Sequence, residues 1–88
     1  MIMVEAAQIE TDLLAFVRRE VFSAQVDANL ETDLVSAGFD SMSLVRLLVF
    51  VEQTYGMWIP ESEITGDSLQ NLRTLAATVS RLLNAGTK

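Results

Sequence analysis

The sequence predicts an all-α chain: a four-helix bundle with three longer helices, one short third helix and a long loop between the first two. Three observations predict it. Apolar residues recur every three or four positions over three separate stretches of the 88-residue chain. Residues that start and stop helices, Asp40, Gly56, Pro60 and Asn71, punctuate those stretches. No alternating apolar segment is long enough to compel a strand.

The first helix is expected from about Glu5 to Phe22. Ile9, Leu13, Phe16, Val17 and Val21 form its apolar stripe, while Glu10, Asp12, Arg18, Arg19 and Glu20 lie largely elsewhere. Residues Ser23 to Phe39 break the pattern with turn formers, including Asp27, Asn29, Asp33 and Gly38. A loop this long in a small domain is functional or pinned down. Leu30, Leu34, Val35 and Phe39 are the expected pins, and a short helical turn is expected at Asp33 to Ala37.

The second helix is expected from Ser41 to Tyr55, with Asp40 as N-cap and Gly56 as the left-handed stop. Val45, Leu48 and Tyr55, with Leu44 or Leu47 and Val51, are expected to face the core. Pro60 then opens a short third helix, Glu61 to Thr65. Gly66, Asp67 and Ser68 make a turn. The last helix runs from about Asn71 to Asn84 and buries Leu72, Leu75, Ala76, Val79, Leu82 and Leu83. Trp58 is expected to cap the core or pack beneath a loop, because large aromatics bury most of their area. The whole chain, 1–88, reads as a single domain ordered over about 5–84, with flexible termini.

Composition narrows the function. Twelve acids against six bases give a formal charge of −6, and there is neither histidine nor cysteine. An acidic surface repels phosphate backbones and anionic membranes, so neither nucleic acid nor membrane insertion is expected. Without histidine the commonest general base is missing, and without cysteine there is no thiolate nucleophile or metal ligand. No catalytic residue and no metal site are expected, and the chain reads as a non-enzyme. No basic segment precedes the short apolar Met1 to Val4, so it is not a signal peptide and a cytoplasmic monomer is expected.

The informative stretch is Ala37-Gly38-Phe39-Asp40-Ser41-Met42-Ser43-Leu44-Val45. It puts a serine in the first turn of a helix, where unpaired N–H groups and a partial positive charge favour an anion. Gly38 is expected to let the loop approach the helix closely. The Asp40 carboxylate stands near the serine and would oppose a bound phosphate. Taken alone, these residues also read as an ordinary helix start. Ser43, two positions on, cannot share Ser41's face, and a local backbone hydrogen bond is its expected role.

Gly38-Phe39-Asp40-Ser41-Met42 resembles the Asp-Ser-Leu/Met signature of acyl carrier proteins. Leu44 to Tyr55, followed by Ile59-Pro60 and an acid, resembles that family's second helix and the loop behind it. Leu72-Arg73-Thr74-Leu75-Ala76 resembles its last helix. The resemblance implies a bundle of the acyl-carrier type, in which Ser41 is the attachment point of covalent 4′-phosphopantetheine derived from coenzyme A. An acyl or aminoacyl group would ride on that arm as a thioester. The partners implied are a phosphopantetheinyl transferase, an acyl- or aminoacyl-loading ligase and downstream acyl-transferring or modifying enzymes. The alternative is a helical interaction module with no prosthetic group. A hydrolase using Ser41 directly would lack a base.

Partner recognition is expected from Asp40, Met42, Arg46 and Val49. Met42, Arg46, Val49 and Gln53 form a stripe at helical spacing that begins beside Ser41. The second helix holds Arg46 and a single acid, Glu52, whereas carriers of bacterial fatty-acid synthesis resemble one another in an acid-crowded second helix. This chain looks more like carriers dedicated to one pathway, such as D-alanyl carrier proteins and stand-alone aminoacyl carriers.

Overall fold

The computed structural model describes residues 5–22 and 27–86. The expected first residues of the long loop, from Ser23, and the last two of the residues expected to fray, Gly86 to Lys88, lie outside them, while Gly86 ends a helix. Helix α1 spans Ala6–Glu20, α2 spans Ser41–Tyr55 and α3 spans Leu72–Gly86. The expected short third helix is a single 3-10 turn at Glu61–Glu63. Among the described residues there are therefore three α-helices, not four, and no strand. The reason is local. Glu63 N–H and Ile64 N–H bond three residues back, to Pro60 and Glu61 (2.9 and 3.0 Å). Ile64 then turns extended. The Ser68 hydroxyl donates to the Glu63 carbonyl (2.7 Å) and accepts the Thr65 N–H (3.0 Å), so side-chain bonds close this segment where a helix would have used backbone.

The core lies where the three helices meet. Ile9, Leu13, Phe16 and Val17 come from α1, Leu47, Leu48 and Val51 from α2, and Leu72, Leu75, Ala76 and Val79 from α3. Each set recurs at three- and four-residue spacing, which places it on one face of its helix. Helix α1 packs chiefly on α3 and also meets α2. Phe16 of α1 stacks on Phe50 of α2, with ring centroids 4.6 Å apart. At the far end of α2, the Tyr55 hydroxyl donates to the Asp12 carboxylate (2.7 Å). Burial first, and that carboxylate second, push the Tyr55 phenol above its ordinary pKa.

The long loop is pinned, as expected, but partly by other means. Leu34 is fully buried and Phe39 nearly so, with Leu30 packed at the edge. Val35, expected to join them, is 74% exposed. It follows Leu34 in the turn at 34–38, where consecutive side chains diverge, so only one of the two can point inward. Backbone bonds contribute the rest. Leu34 N–H reaches the Gln70 carbonyl (3.1 Å), and Arg73 N–H reaches Leu30 (3.2 Å). Arg18 of α1 grips the Ala28 carbonyl through Nε and Nη2 (3.1 and 2.7 Å). The Arg73 side chain pairs with Glu31 of the loop and Glu10 of α1.

Two further inward assignments fail. Val45 is 51% exposed. At roughly 100° per residue, the buried arc of α2 centres near Leu44, Leu48 and Val51, and Val45 is turned out of it. Trp58 is 52% exposed, because Ile59 beside it takes the inward place.

Helix α2 begins and ends as the sequence requires. The Asp40 carboxylate accepts the Ser43 N–H at 2.9 Å, and Gly56 adopts φ 71°, the left-handed stop. Asn71 caps α3 in the same way, accepting the Thr74 N–H (2.9 Å). The bonds from Ser43, backbone first and hydroxyl second, hold the Asp40 carboxyl below its ordinary pKa.

Two predictions follow from this packing. Leu47→Ala removes a fully buried side chain, so it should lower the free energy of unfolding by ~2–5 kcal/mol in a urea titration. A charge held by native hydrogen bonds stabilises the fold above the unfolded pKa, and that contribution is lost as pH falls through the lower folded value. Asp40→Ala should therefore lower the unfolding midpoint near neutral pH, and the deficit should shrink as pH drops below the ordinary carboxyl value of 3.8. Thermal melts across the acid range measure both.

Candidate functional site

The site is built at the junction of the loop and α2. Phe39 is buried, Asp40 caps, and Ser41 is the first helical residue. This register leaves the Ser41 side chain exposed at the end of the helix. Among the described residues its hydroxyl makes no hydrogen bond, and the backbone N–H groups of Ser41 and Met42 have no partner within the helix, the Met42 N–H lying toward the Asp40 carboxylate. These N–H groups belong to the unsatisfied first turn, the positive end of the helix dipole. A hydroxyl free to react thus stands beside donors suited to an oxyanion.

Asp40 keeps its negative charge beside the serine. Its Oδ1 accepts both the N–H and the hydroxyl of Ser43, each at 2.9 Å. The carboxylate is directed into the cap. Ser43 is accordingly tied up, though through the Asp40 side chain and not the backbone bond expected of it. Ser68 is buried and bonded to Glu63 and Thr65 just after the 3-10 turn. Ser36 and Ser62 are exposed but lie outside any long helix, and Ser80 sits mid-helix in α3. Ser23 lies outside the described residues.

Gly38 has a different role from the one expected. A Cβ there would meet nothing within 4 Å, so the residue does not serve close approach. Its φ of 103° is the requirement: the chain must turn through a region that L side chains rarely adopt before delivering Phe39 to the core. The Phe39 N–H returns to the Leu34 carbonyl (2.9 Å), which closes the turn ahead of the helix.

The residues expected to meet partners are placed on one exposed face. Met42 is 64% exposed, and Arg46, Val49 and Gln53 follow it along α2. Val45, which sequence reasoning assigned to the core, belongs to this surface. Its outward position was legible only from the angle it makes with Leu44, Leu48 and Val51. Arg46 Nη1 donates to the Glu20 carbonyl at the end of α1 (3.3 Å). No described helix is long and apolar enough to cross a membrane.

Comparison with known proteins places the chain in a family. The profile of the phosphopantetheine attachment site family matches residues 12–82, which contain α2 and most of α1 and α3. The chain is 36% identical over 61 residues to aminoacyl carrier protein 1 of Bradyrhizobium diazoefficiens, covering 69% of this chain and 68% of that protein. It is 25% identical over 83 residues to aminoacyl carrier protein 2 of the same organism, covering 92% and 93%. An all-helical chain with a free serine hydroxyl at the head of its second helix, matched along most of its length by that profile, belongs to the phosphopantetheine attachment site family of carrier proteins.

Proposed function

We propose that Ser41 Oγ is the attachment point of 4′-phosphopantetheine, and that the loaded arm carries an aminoacyl or other acyl group for enzymes that act on it in turn. The observation that carries this reading is the exposed, unpartnered hydroxyl at the first turn of α2. Met42 alone of its neighbours in that turn shares its exposure without being tied into the cap.

The residues present fit the group. An arm on Ser41 leaves the surface without displacing a packed side chain, since the serine is exposed. The unpaired first turn of α2 gives the serine the positive end of the helix dipole, which favours a phosphodiester, while the Asp40 carboxylate beside it is engaged by Ser43 through Oδ1. When bound, the arm supplies the thiol for thioester chemistry that this cysteine-free chain lacks. The chain's own residues position the arm and remain unreactive: there is no histidine or cysteine to serve as base or nucleophile. The 3-10 turn at Glu61–Glu63 stands where a fourth, short helix of the carrier-type bundle would lie.

For the cargo we favour an aminoacyl group. The chain's similarity to two aminoacyl carrier proteins supports it, and so does an α2 with one acid in place of an acidic run. The partners inferred are a phosphopantetheinyl transferase, a loading ligase and downstream acyl-transferring or modifying enzymes. Asp40, Met42, Arg46 and Val49 would meet them, with Val45 now added. Methionine and valine exposed beside an attachment point suit a surface that docks more than one enzyme.

The test uses the unmodified protein, coenzyme A and a phosphopantetheinyl transferase of broad acceptor range. Intact mass should rise by one phosphopantetheinyl group. Ser41→Ala should abolish the gain and Ser43→Ala should keep it. No gain in the wild type, or a gain that survives Ser41→Ala, contradicts the assignment.

A further inference from the structure

We propose that the groove between α1 and α2 receives an acidic amphipathic helix of a partner enzyme, with Arg46 as the residue that takes its carboxylate. The proposal rests on the carrier reading above, since it supplies the chemistry of a partner that visits Ser41.

The groove has a volume of about 450 Å³. Phe16 and Phe50 form its floor, Val45 and Val49 its apolar side, and Arg19 and Arg46 its rim. Both valines are exposed, at 51% and 38%, although neither has a polar function to perform. Two exposed valines on α2, with Arg46 between them and Arg19 across on α1, suit an apolar stripe flanked by acids on another helix.

Charge identifies the occupant. The chain carries −6, and most of its arginines are answered by carboxylates: Arg19 by Glu20, Arg73 by Glu31 and Glu10, Arg81 by Glu63. Among the described residues Arg46 has no carboxylate partner. Its Nη1 is anchored on the Glu20 carbonyl (3.3 Å), which holds the guanidinium at the rim and leaves its other donors unclaimed. The Glu20 carboxylate also lines the groove, but Arg19 occupies it at 2.9 Å. The uncompensated charge of the groove is therefore positive on a negative molecule. A planar fork held in place is suited to a partner's carboxylate. Elsewhere the surface repels acidic proteins, so this groove selects a partner that is acidic at one helix and not overall. The same charge argues against the groove as a shelter for an aminoacyl cargo, whose ammonium Arg46 would repel.

The experiment uses the full chain carrying phosphopantetheine, isotope-labelled for backbone amide spectra. Two synthetic helical peptides with the same apolar anchors are titrated in, one flanked by glutamates and one by lysines. The acidic peptide should shift the amides of Phe16 to Glu20 and Val45 to Gln53, with binding that weakens as salt is added. Arg46→Glu should weaken it by about two- to fivefold, the scale of one exposed ion pair, and Val49→Asp should weaken it independently. Equal binding of the lysine peptide, shifts confined to another face, or no binding by either peptide overturns the proposal. The mass gain on Ser41 is scored in the same preparations. Its absence contradicts the carrier reading, whereas its presence with a silent groove contradicts the groove alone.

Discussion

The bond from the Ser43 N–H to the Asp40 carboxylate sets the register on which the rest of the molecule depends. It fixes the residue at which α2 starts. With that start fixed, Leu47, Leu48 and Val51 fall on the buried side and Ser41 falls at the exposed tip. Sliding α2 by one residue within the bundle would change the facing of each side chain by roughly 100°, taking the leucines out of the core. The cap is reinforced from behind by Phe39, whose burial holds the chain entering the helix. Core packing and presentation of the serine are thus consequences of one local constraint.

The loop before that cap has to be held still for the cap to act. It is held by a few apolar insertions and by backbone bonds to the start of α3, not by secondary structure of its own. Leu34 is the centre of this arrangement: its side chain is buried, its N–H reaches Gln70 and its carbonyl accepts the Phe39 N–H. Gly38 permits the turn between Leu34 and Phe39 by accepting a positive φ. Arg73 then links the loop and α1 to α3 by exposed ion pairs, each worth little alone in solvent. The arrangement gives a rigid platform under Ser41 while leaving the hydroxyl itself unengaged.

The helices were legible in the sequence because their signals are local and redundant. Ser41 to Tyr55 has a cap, an apolar period and a glycine stop, and all three agree with the observed bounds. The proposed attachment residue stands out for the same reason, since Asp40-Ser41 at a helix start is both a physical and a family signal. What was not legible was which of several neighbouring apolar residues would turn inward. Val35 and Val45 were expected inward together with Leu34 and Leu48, and Trp58 as a cap on the core or beneath a loop, yet Leu34, Leu48 and Ile59 are buried while the other three are exposed. The short third helix expected at Glu61 to Thr65 is shorter, a single 3-10 turn at Glu61–Glu63, because Ser68 binds the Glu63 carbonyl and the Thr65 N–H just beyond it. The groove beside Arg46 could not be read at all without the place of α1.

A small acidic chain without a thiol gains one only if a prosthetic group is mounted on it, and the account assigns that mounting to one hydroxyl. The most direct measurement is tandem mass spectrometry of the protein isolated from its own cells, on the tryptic peptide running from Glu20 to Arg46. That peptide should lose a phosphopantetheine fragment, with the modification mapped to Ser41. A native peptide that is unmodified under all growth conditions, or modified at another of its serines, would contradict the account.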